Sequence, residues 1–296
     1  MQGNIMEITI EIGTPEDQEK IHQELMLFFS ESLISDYIIN ISQVIVPADF
    51  DVEINKLQGT TDYVSNRGVI AMARNVNLGD SNAIVLSPYL YTAYHDVQTR
   101  LYIYLHEIKH IFNEKSFPQI LDNSGSRKIY FENLYTLFDE YTADRWALEV
   151  LESIIPTKTA RWNEFIRNFA SGFSSLINDN QHYEKIKTEI ELFRQHSDII
   201  LFEKNIQQDF HNVAISITHA IAIVDHDPHI MPLDDLMQSR FVNEKTLSLM
   251  RFLKTKYQEQ IYDLQDGLDI IIDFMTNFGM KFEDIPEGIY CHVLDI

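Results

Sequence analysis

The chain has 296 residues, of which 45% are hydrophobic and 11% aromatic, and its formal net charge is −22. This length and hydrophobic content exclude a disordered chain and indicate a globular protein with a sizeable core. The strong negative charge repels phosphate backbones and anionic lipids, so we expect no nucleic-acid partner.

The compartment is predicted from what the sequence lacks. The single cysteine, Cys291, cannot form an internal disulfide, which favours a reducing compartment. The first residues have neither the basic nor the apolar region of a signal peptide. The most apolar stretch, residues 213–224, is shorter than the ~20 residues of a spanning helix and contains His219. We interpret it as a core helix, and we expect a cytoplasmic protein without membrane insertion.

The predicted elements begin with strands and continue with helices. Strand patterns occupy residues 6–12, 38–46, 68–74 and 82–86, and one helix pattern, 17–32, lies between the first two. From residue 96 the pattern is helical almost to the end, over 96–114, 130–154, 159–178, 181–197, 204–224, 243–261 and 264–278. This order predicts an α+β fold.

A His-Glu-x-x-His motif lies on the first of the later helices, as His106, Glu107 and His110. Residues four apart share one helix face, so both imidazoles can reach one ion. Glu107 lies one step round the helix, close enough to contact a water on that ion. Two neutral imidazoles and a carboxylate, with a fourth position open for water, suit Zn²⁺.

The surroundings of the motif strengthen this interpretation. Apolar residues surround it on nearly all sides of the helix, so the helix is predicted to be buried. Burial of two histidines and a glutamate without partners is costly, and a metal ion would satisfy all three. The alternative left open is a polar stripe that faces a wet groove.

A third metal ligand is predicted on the next helix. Glu140 and Asp144 are four residues apart and share a face, whereas Asp139 points elsewhere. One carboxylate can bind the metal, and the other can accept a hydrogen bond from the second nitrogen of a ligand histidine. An ordinary solvated helix face is the alternative.

Together, these motifs resemble the gluzincin metallopeptidases. Glu140, Ala143, Asp144 and Ala147 follow the Glu-x-x-Ala-Asp-x-x-Ala pattern, most similar to the HtpX-like and Lit-type branches, and the resemblance covers roughly residues 65–150. It implies a zincin-like fold, with a small N-terminal sheet packed on the active-site helix and a mostly helical C-terminal half. It implies Glu140 as the third zinc ligand and Asp144 as an outer-shell residue that supports a ligand histidine.

The resemblance extends to the residues before the first motif. Residues 70–74 and 82–87 are similar to the two strands that precede the active-site helix in HtpX-like enzymes. An extended substrate can add to a sheet edge. We nominate Ile70, Ala71, Met72 and Ala73 as that edge, and a loop that covers the strand is the alternative.

Stabilisation of a transition state would need a further donor beside the metal. Candidates are Tyr141, His229 and Arg240. The latter two lie in a segment only loosely similar to one that follows the third ligand in the family, and a polar loop is the alternative.

We therefore expect a zinc-dependent endopeptidase in which Glu107 is the general base and the substrate is a specific intracellular protein or peptide. We expect one domain over 1–296, with a strand-rich part (1–90), metal-binding helices (91–155) and a helical part (156–296). The alternatives are a catalytically silent zincin-fold module that binds a protein partner, and a helical protein with a fortuitous motif.

Overall fold

The structure, a computed structural model, describes residues 6–61, 63, 71–93, 96–117, 124–155, 160–229 and 233–296. The chain forms two compact units. The first comprises Met1–Lys115 and Trp146–Thr157, and the second comprises Ser116–Arg145 and Lys158–Ile296. These bounds differ from the three predicted parts, and the single-domain arrangement stays a prediction. Among the described helices, none has the length and apolarity needed to cross a membrane.

The first unit contains a four-stranded mixed sheet and several helices. Its elements are β1 (Glu7–Ile10), α1 (Pro15–Phe29), a 3₁₀ turn (Ser32–Ile34), β2 (Ile41–Val46), α2 (Phe50–Gln58), β3 (Ala73–Asn77), β4 (Asn82–Leu86), α3 (Tyr89–Thr92) and α4 (Val97–Ser116). The strand order is β1-β2-β4-β3. β1, β2 and β4 are parallel, and β3 is antiparallel to β4 at one edge.

Local sequence signals explain where the first helices begin and end. Thr14 and Asp17 form a capping box at the start of α1, with Pro15 in its first turn. Asp49 caps α2, which ends at Gly59 with a left-handed φ of 66°. Helix α2 was not predicted from the sequence. Its buried Phe50 and Ile54 pack against β3 and β4.

The second unit is mostly helical. Its elements are α5 (Gly125–Ile154), of which the part through Arg145 belongs here, α6 (Ala160–Asn178), α7 (Asn180–His196), α8 (Ile199–His226), α9 (Leu233–Leu236), α10 (Glu244–Gln258), a 3₁₀ turn (Gln265–Gly267), α11 (Leu268–Thr276), β5 (Met280–Ile285) and β6 (Gly288–Val293). The small N-terminal sheet and the mostly helical remainder confirm the α+β prediction.

A C-terminal hairpin is another element that the sequence patterns did not predict. β5 and β6 pair antiparallel. Asp284 of β5 accepts hydrogen bonds from the Ser126 amide (2.7 Å) and hydroxyl (3.1 Å) at the start of α5. This cap comes from a residue 158 positions away, and it lies where α5 begins, five residues before the predicted start at 130.

Candidate metal centre

Helix α4 places the two histidines of the motif on one face. Asp96 accepts hydrogen bonds from the Thr99 amide (2.8 Å) and hydroxyl (2.9 Å), which caps the start of the helix. The apolar neighbours Leu105, Ile108 and Ile111 are fully or almost fully buried. This burial anchors the helix, as its apolar surroundings predict, and leaves the two imidazoles half-buried.

The imidazoles of His106 and His110 face each other. Their Nε2 atoms lie 2.8 Å apart, and the rings meet nearly edge to face. Tetrahedral zinc with Zn–N bonds of ~2.0–2.1 Å separates two ligand nitrogens by about 3.3 Å. A small outward movement of each ring would therefore admit an ion between these nitrogens.

Glu140 completes a group that could hold a metal ion. One ligand atom each from His106, His110 and Glu140 lies within 4.8 Å of the other two, and all three residues are half-buried. The donor set fits: two imidazoles and one carboxylate are the protein ligands of many catalytic zinc sites. The structure thus brings together the three residues that the sequence predicts as ligands.

Glu107, the predicted general base, is hydrogen-bonded to the edge strand of the sheet. The main-chain N–H of Asn75 in β3 donates to Glu107 Oε2 at 2.9 Å. Farther along the same two elements, the side-chain amide of Asn77 donates to Glu114 at 3.0 Å. These two hydrogen bonds hold α4 beside β3 and fix the orientation of the Glu107 carboxylate.

No family model, curated protein or solved structure matches this chain. The family resemblance seen in the motifs therefore stays a prediction.

Asp144 is fully buried, and its carboxylate contacts a histidine outside the predicted ligand set. Its Oδ2 lies in a short hydrogen bond with Nδ1 of His219 on α8. The other ring nitrogen, Nε2, is 3.8 Å from Glu140 Oε2. The prediction that Asp144 supports a ligand histidine stays a prediction.

The three candidates for transition-state stabilisation lie in different surroundings. The buried Tyr141 donates its hydroxyl to Asp225 at 2.8 Å, and burial, with that carboxylate, raises the pKa of Tyr141. His229 is exposed in a turn. Arg240 lies over the ring of Tyr183, 4.4 Å from its centroid. Catalytic roles for Tyr141, His229 and Arg240 stay predictions.

The predicted substrate edge is displaced along the chain. Ile70 lies outside the described residues, and Ala71 and Met72 precede β3. Ala73 is the first residue of the strand, which continues to Asn77. β3 is the outer strand at its side of the described sheet, and a role of this edge in substrate binding stays a prediction.

Three residues that contact or adjoin the predicted site residues were not predicted from the sequence. Asn75 is one, because a main-chain donor has no side-chain signal. Lys109 is another: it is 4% exposed, and its ammonium lies 4.4 Å from the Phe112 ring centroid. His219 is the third, and its signal was a histidine inside the apolar stretch interpreted as a core helix.

Proposed function

We propose that this protein is a zinc-dependent endopeptidase. The observation that carries the proposal is the grouping of His106, His110 and Glu140, with ligand atoms within 4.8 Å of one another. The half-buried setting of all three fits a site that excludes most water while it admits a substrate. A zincin-like arrangement, with the motif helix beside an antiparallel edge strand, is part of the same proposal.

The metal ion would be held by His106, His110 and Glu140. When bound, zinc supplies Lewis acidity, which polarises a peptide carbonyl and acidifies a water molecule. Glu107 is the general base: its carboxylate takes a proton from the attacking water and passes it to the leaving amine. The Asn75 N–H holds Oε2 of that carboxylate, so the side chain is oriented before substrate arrives.

Substrate would bind extended along β3. In an antiparallel pair, successive residues alternate between main-chain groups that face the partner strand and groups that face away. The Ser87 amide donates to Met72, and the Leu78 amide donates to Ser81, so residues 72, 74, 76 and 78 face β4. Ala73, Asn75 and Asn77 therefore face the outer edge, where the Asn75 amide already donates to Glu107. A peptide there would gain register from main-chain hydrogen bonds.

Metal content is the first test of the proposal. We expect about one zinc per chain in the purified protein by elemental analysis, because two imidazoles and a carboxylate form a catalytic zinc set. His110→Ala should lose the zinc, and His182→Ala, which alters a histidine paired with Asp209, should keep it. Equal, substoichiometric zinc in the wild-type protein and in His110→Ala would refute the proposal.

Hydrolysis is the second test. The protein would be incubated with a proteome-derived peptide library, and newly formed termini would be detected by mass spectrometry. Glu107→Gln should keep the zinc but lose about 10²–10⁴-fold in cleavage, because glutamine cannot take the proton. No cleavage by zinc-loaded wild-type protein would instead indicate the catalytically silent alternative.

A further inference from the structure

A largely buried carboxylate at the end of α8 contacts two other helices of the second unit. Asp225 lies in the last turn of α8, and its side chain is 11% exposed. The Tyr141 hydroxyl on α5 donates to Asp225 Oδ2 at 2.8 Å, and the Lys254 ammonium on α10 donates to Oδ1 at 2.6 Å. Each carboxylate oxygen has a donor, and three helices meet at one side chain.

The place of Asp225 in its helix explains why both donors matter. The last turn of a helix carries a partial negative charge, so a carboxylate is unfavourable there. A carboxylate that is mostly removed from water also needs charged or hydrogen-bonding partners. The Lys254 ammonium balances the charge, and Tyr141 supplies a hydrogen bond to the second oxygen. The Tyr141 hydroxyl is therefore strongly held where it lies.

The ring of Tyr141 is fixed as well as its hydroxyl. The residue is fully buried, and its ring meets that of Tyr257 on α10 nearly edge to face, with centroids 5.9 Å apart. A tyrosine hydroxyl has one hydrogen to donate, and the ionised carboxylate of Asp225 accepts it. Donation to an oxyanion would require this hydroxyl to leave Asp225, at the cost of a poorly hydrated carboxylate short of a partner.

The fixed side chain affects the proposed metal site because Tyr141 directly follows Glu140 on α5. Neighbouring residues of a helix differ in direction by about 100°, so a helix that is fixed in rotation at Tyr141 is also fixed at Glu140. A ligand that already points in the right direction binds its ion without a further ordering cost. Contacts with α8 and α10 can thus prepare the carboxylate ligand on α5.

We propose that Tyr141 is a positioning residue for Glu140 and not a donor to the transition state. Asp225 and Lys254 hold its hydroxyl, and through Tyr141 they fix the rotation of this part of α5. The inference rests on the proposed metal site. It assigns a role to two residues outside both motifs, of which Asp225 lies 84 positions beyond Tyr141.

The experiment distinguishes a positioning role from a general structural role and from a catalytic one. Tyr141→Phe removes only the hydroxyl. Tyr135→Phe is the matched control, because Tyr135 is a buried tyrosine on the same helix whose hydroxyl donates to the Tyr262 carbonyl at 3.3 Å. Asp225→Asn, alone and combined with Tyr141→Phe, tests whether the two residues act together.

Zinc affinity is measured by chelator competition, and kcat is measured at saturating zinc on a peptide identified from the library. We expect Tyr141→Phe to weaken zinc binding about 3–30-fold, because zinc must then also restore the direction of Glu140. Tyr135→Phe should keep the wild-type zinc affinity, although it too removes a hydroxyl from α5. The double variant with Asp225→Asn should lose less than the two single losses combined, because both act through one hydrogen bond.

Four outcomes would overturn the inference. The first is wild-type zinc affinity in Tyr141→Phe, and the second is an equal loss of affinity in Tyr135→Phe, which would indicate general loosening of the helix. The third is a loss of about 10²–10³-fold in kcat of Tyr141→Phe at saturating zinc, the size expected for a donor to the oxyanion. The fourth is full additivity with Asp225→Asn.

The same measurements separate this inference from the proposed function. If zinc-loaded wild type cleaves no peptide, the endopeptidase proposal fails, and the zinc affinities of Tyr141→Phe and Tyr135→Phe still decide the positioning role. Failure of wild type to bind zinc would refute the metal site itself, and the role of Tyr141 with it.

Discussion

At the scale of single residues, the site depends on spacing along two helices. His106 and His110 face each other because four residues bring a helix back to nearly the same face, and Glu140 and Asp144 repeat that spacing on α5. Asp144 then differs from Glu140 in its surroundings. It is fully buried against His219, whereas Glu140 is half-buried and grouped with the two histidines.

Asp144→Asn should weaken zinc binding by about 10–100-fold, as expected when an outer-shell partner is removed. Asparagine keeps the size of the side chain but not the charge that orients His219. Asp139→Asn, which removes a carboxylate from the same helix on another face, should have a much smaller effect. Chelator competition measures both, and equal affinities in the two variants would contradict the assignment of Asp144.

At the scale of elements, the relation between α4 and β3 connects the sheet with the motif. The Asn75 amide reaches Glu107, and the Asn77 side chain reaches Glu114, so the outer edge of β3 runs beside the helix that carries both histidines. The same alternation that gives Asn75 this outward amide also turns the Ala73 amide outward. The Asn75 amide is already paired with Glu107, so we propose that the outward main-chain groups of Ala73 would pair with an extended strand.

Proline substitutions in β3 distinguish the main-chain amides that face the outer edge from those that face β4. Ala73→Pro removes an outward amide and no hydrogen bond to β4, so we expect a raised KM or lost cleavage with zinc content and thermal stability near wild type. Arg74→Pro is the matched control, because the Arg74 amide faces Val85 of β4. It should lower the unfolding temperature.

The measurements are steady-state cleavage of a peptide identified from the library, elemental zinc and thermal unfolding. Unchanged KM and kcat in Ala73→Pro, with zinc retained, would contradict β3 as the substrate edge. A similar loss of thermal stability in both variants would contradict the assignment of outward and inward amides.

At the scale of the whole molecule, we expect metal binding to raise the free energy of unfolding. A ligand that binds the native state and not the unfolded chain stabilises it by mass action, by about 2.7 kcal/mol at a free concentration 100 times its Kd. We expect zinc at that excess to raise the unfolding temperature of the metal-free wild-type protein, and a chelator to reverse the rise.

His110→Ala provides the control, because it removes one of the three grouped ligands. Its unfolding temperature should not respond to zinc at the same concentration. Calorimetry with and without zinc measures both proteins. An equal rise in the two proteins would show that zinc stabilises the chain elsewhere, outside the group formed by His106, His110 and Glu140.

The sequence by itself determined the elements whose signals are local. Helical period placed His106 and His110 on one face of α4, and the apolar run Asn82–Leu86 was predicted with the bounds that the structure has for β4. The order of strands and helices was enough for the α+β class. The grouping of Glu140 with the histidines was predicted from the resemblance of the two motifs to the gluzincin metallopeptidases, because helical period relates residues only within one helix.

Only the tertiary structure decided which distant groups meet. The contact of His219 with Asp144, the amide that Asn75 gives to Glu107 and the cap that Asp284 gives to Ser126 join residues 75, 32 and 158 positions apart. Hydrogen bonds between such groups depend on how packed elements place single donors and acceptors, and no periodicity in the sequence encodes that placement. The proposed ligands could therefore be predicted from the sequence, whereas the hydrogen-bond partners of Glu107 and Asp144 required the fold.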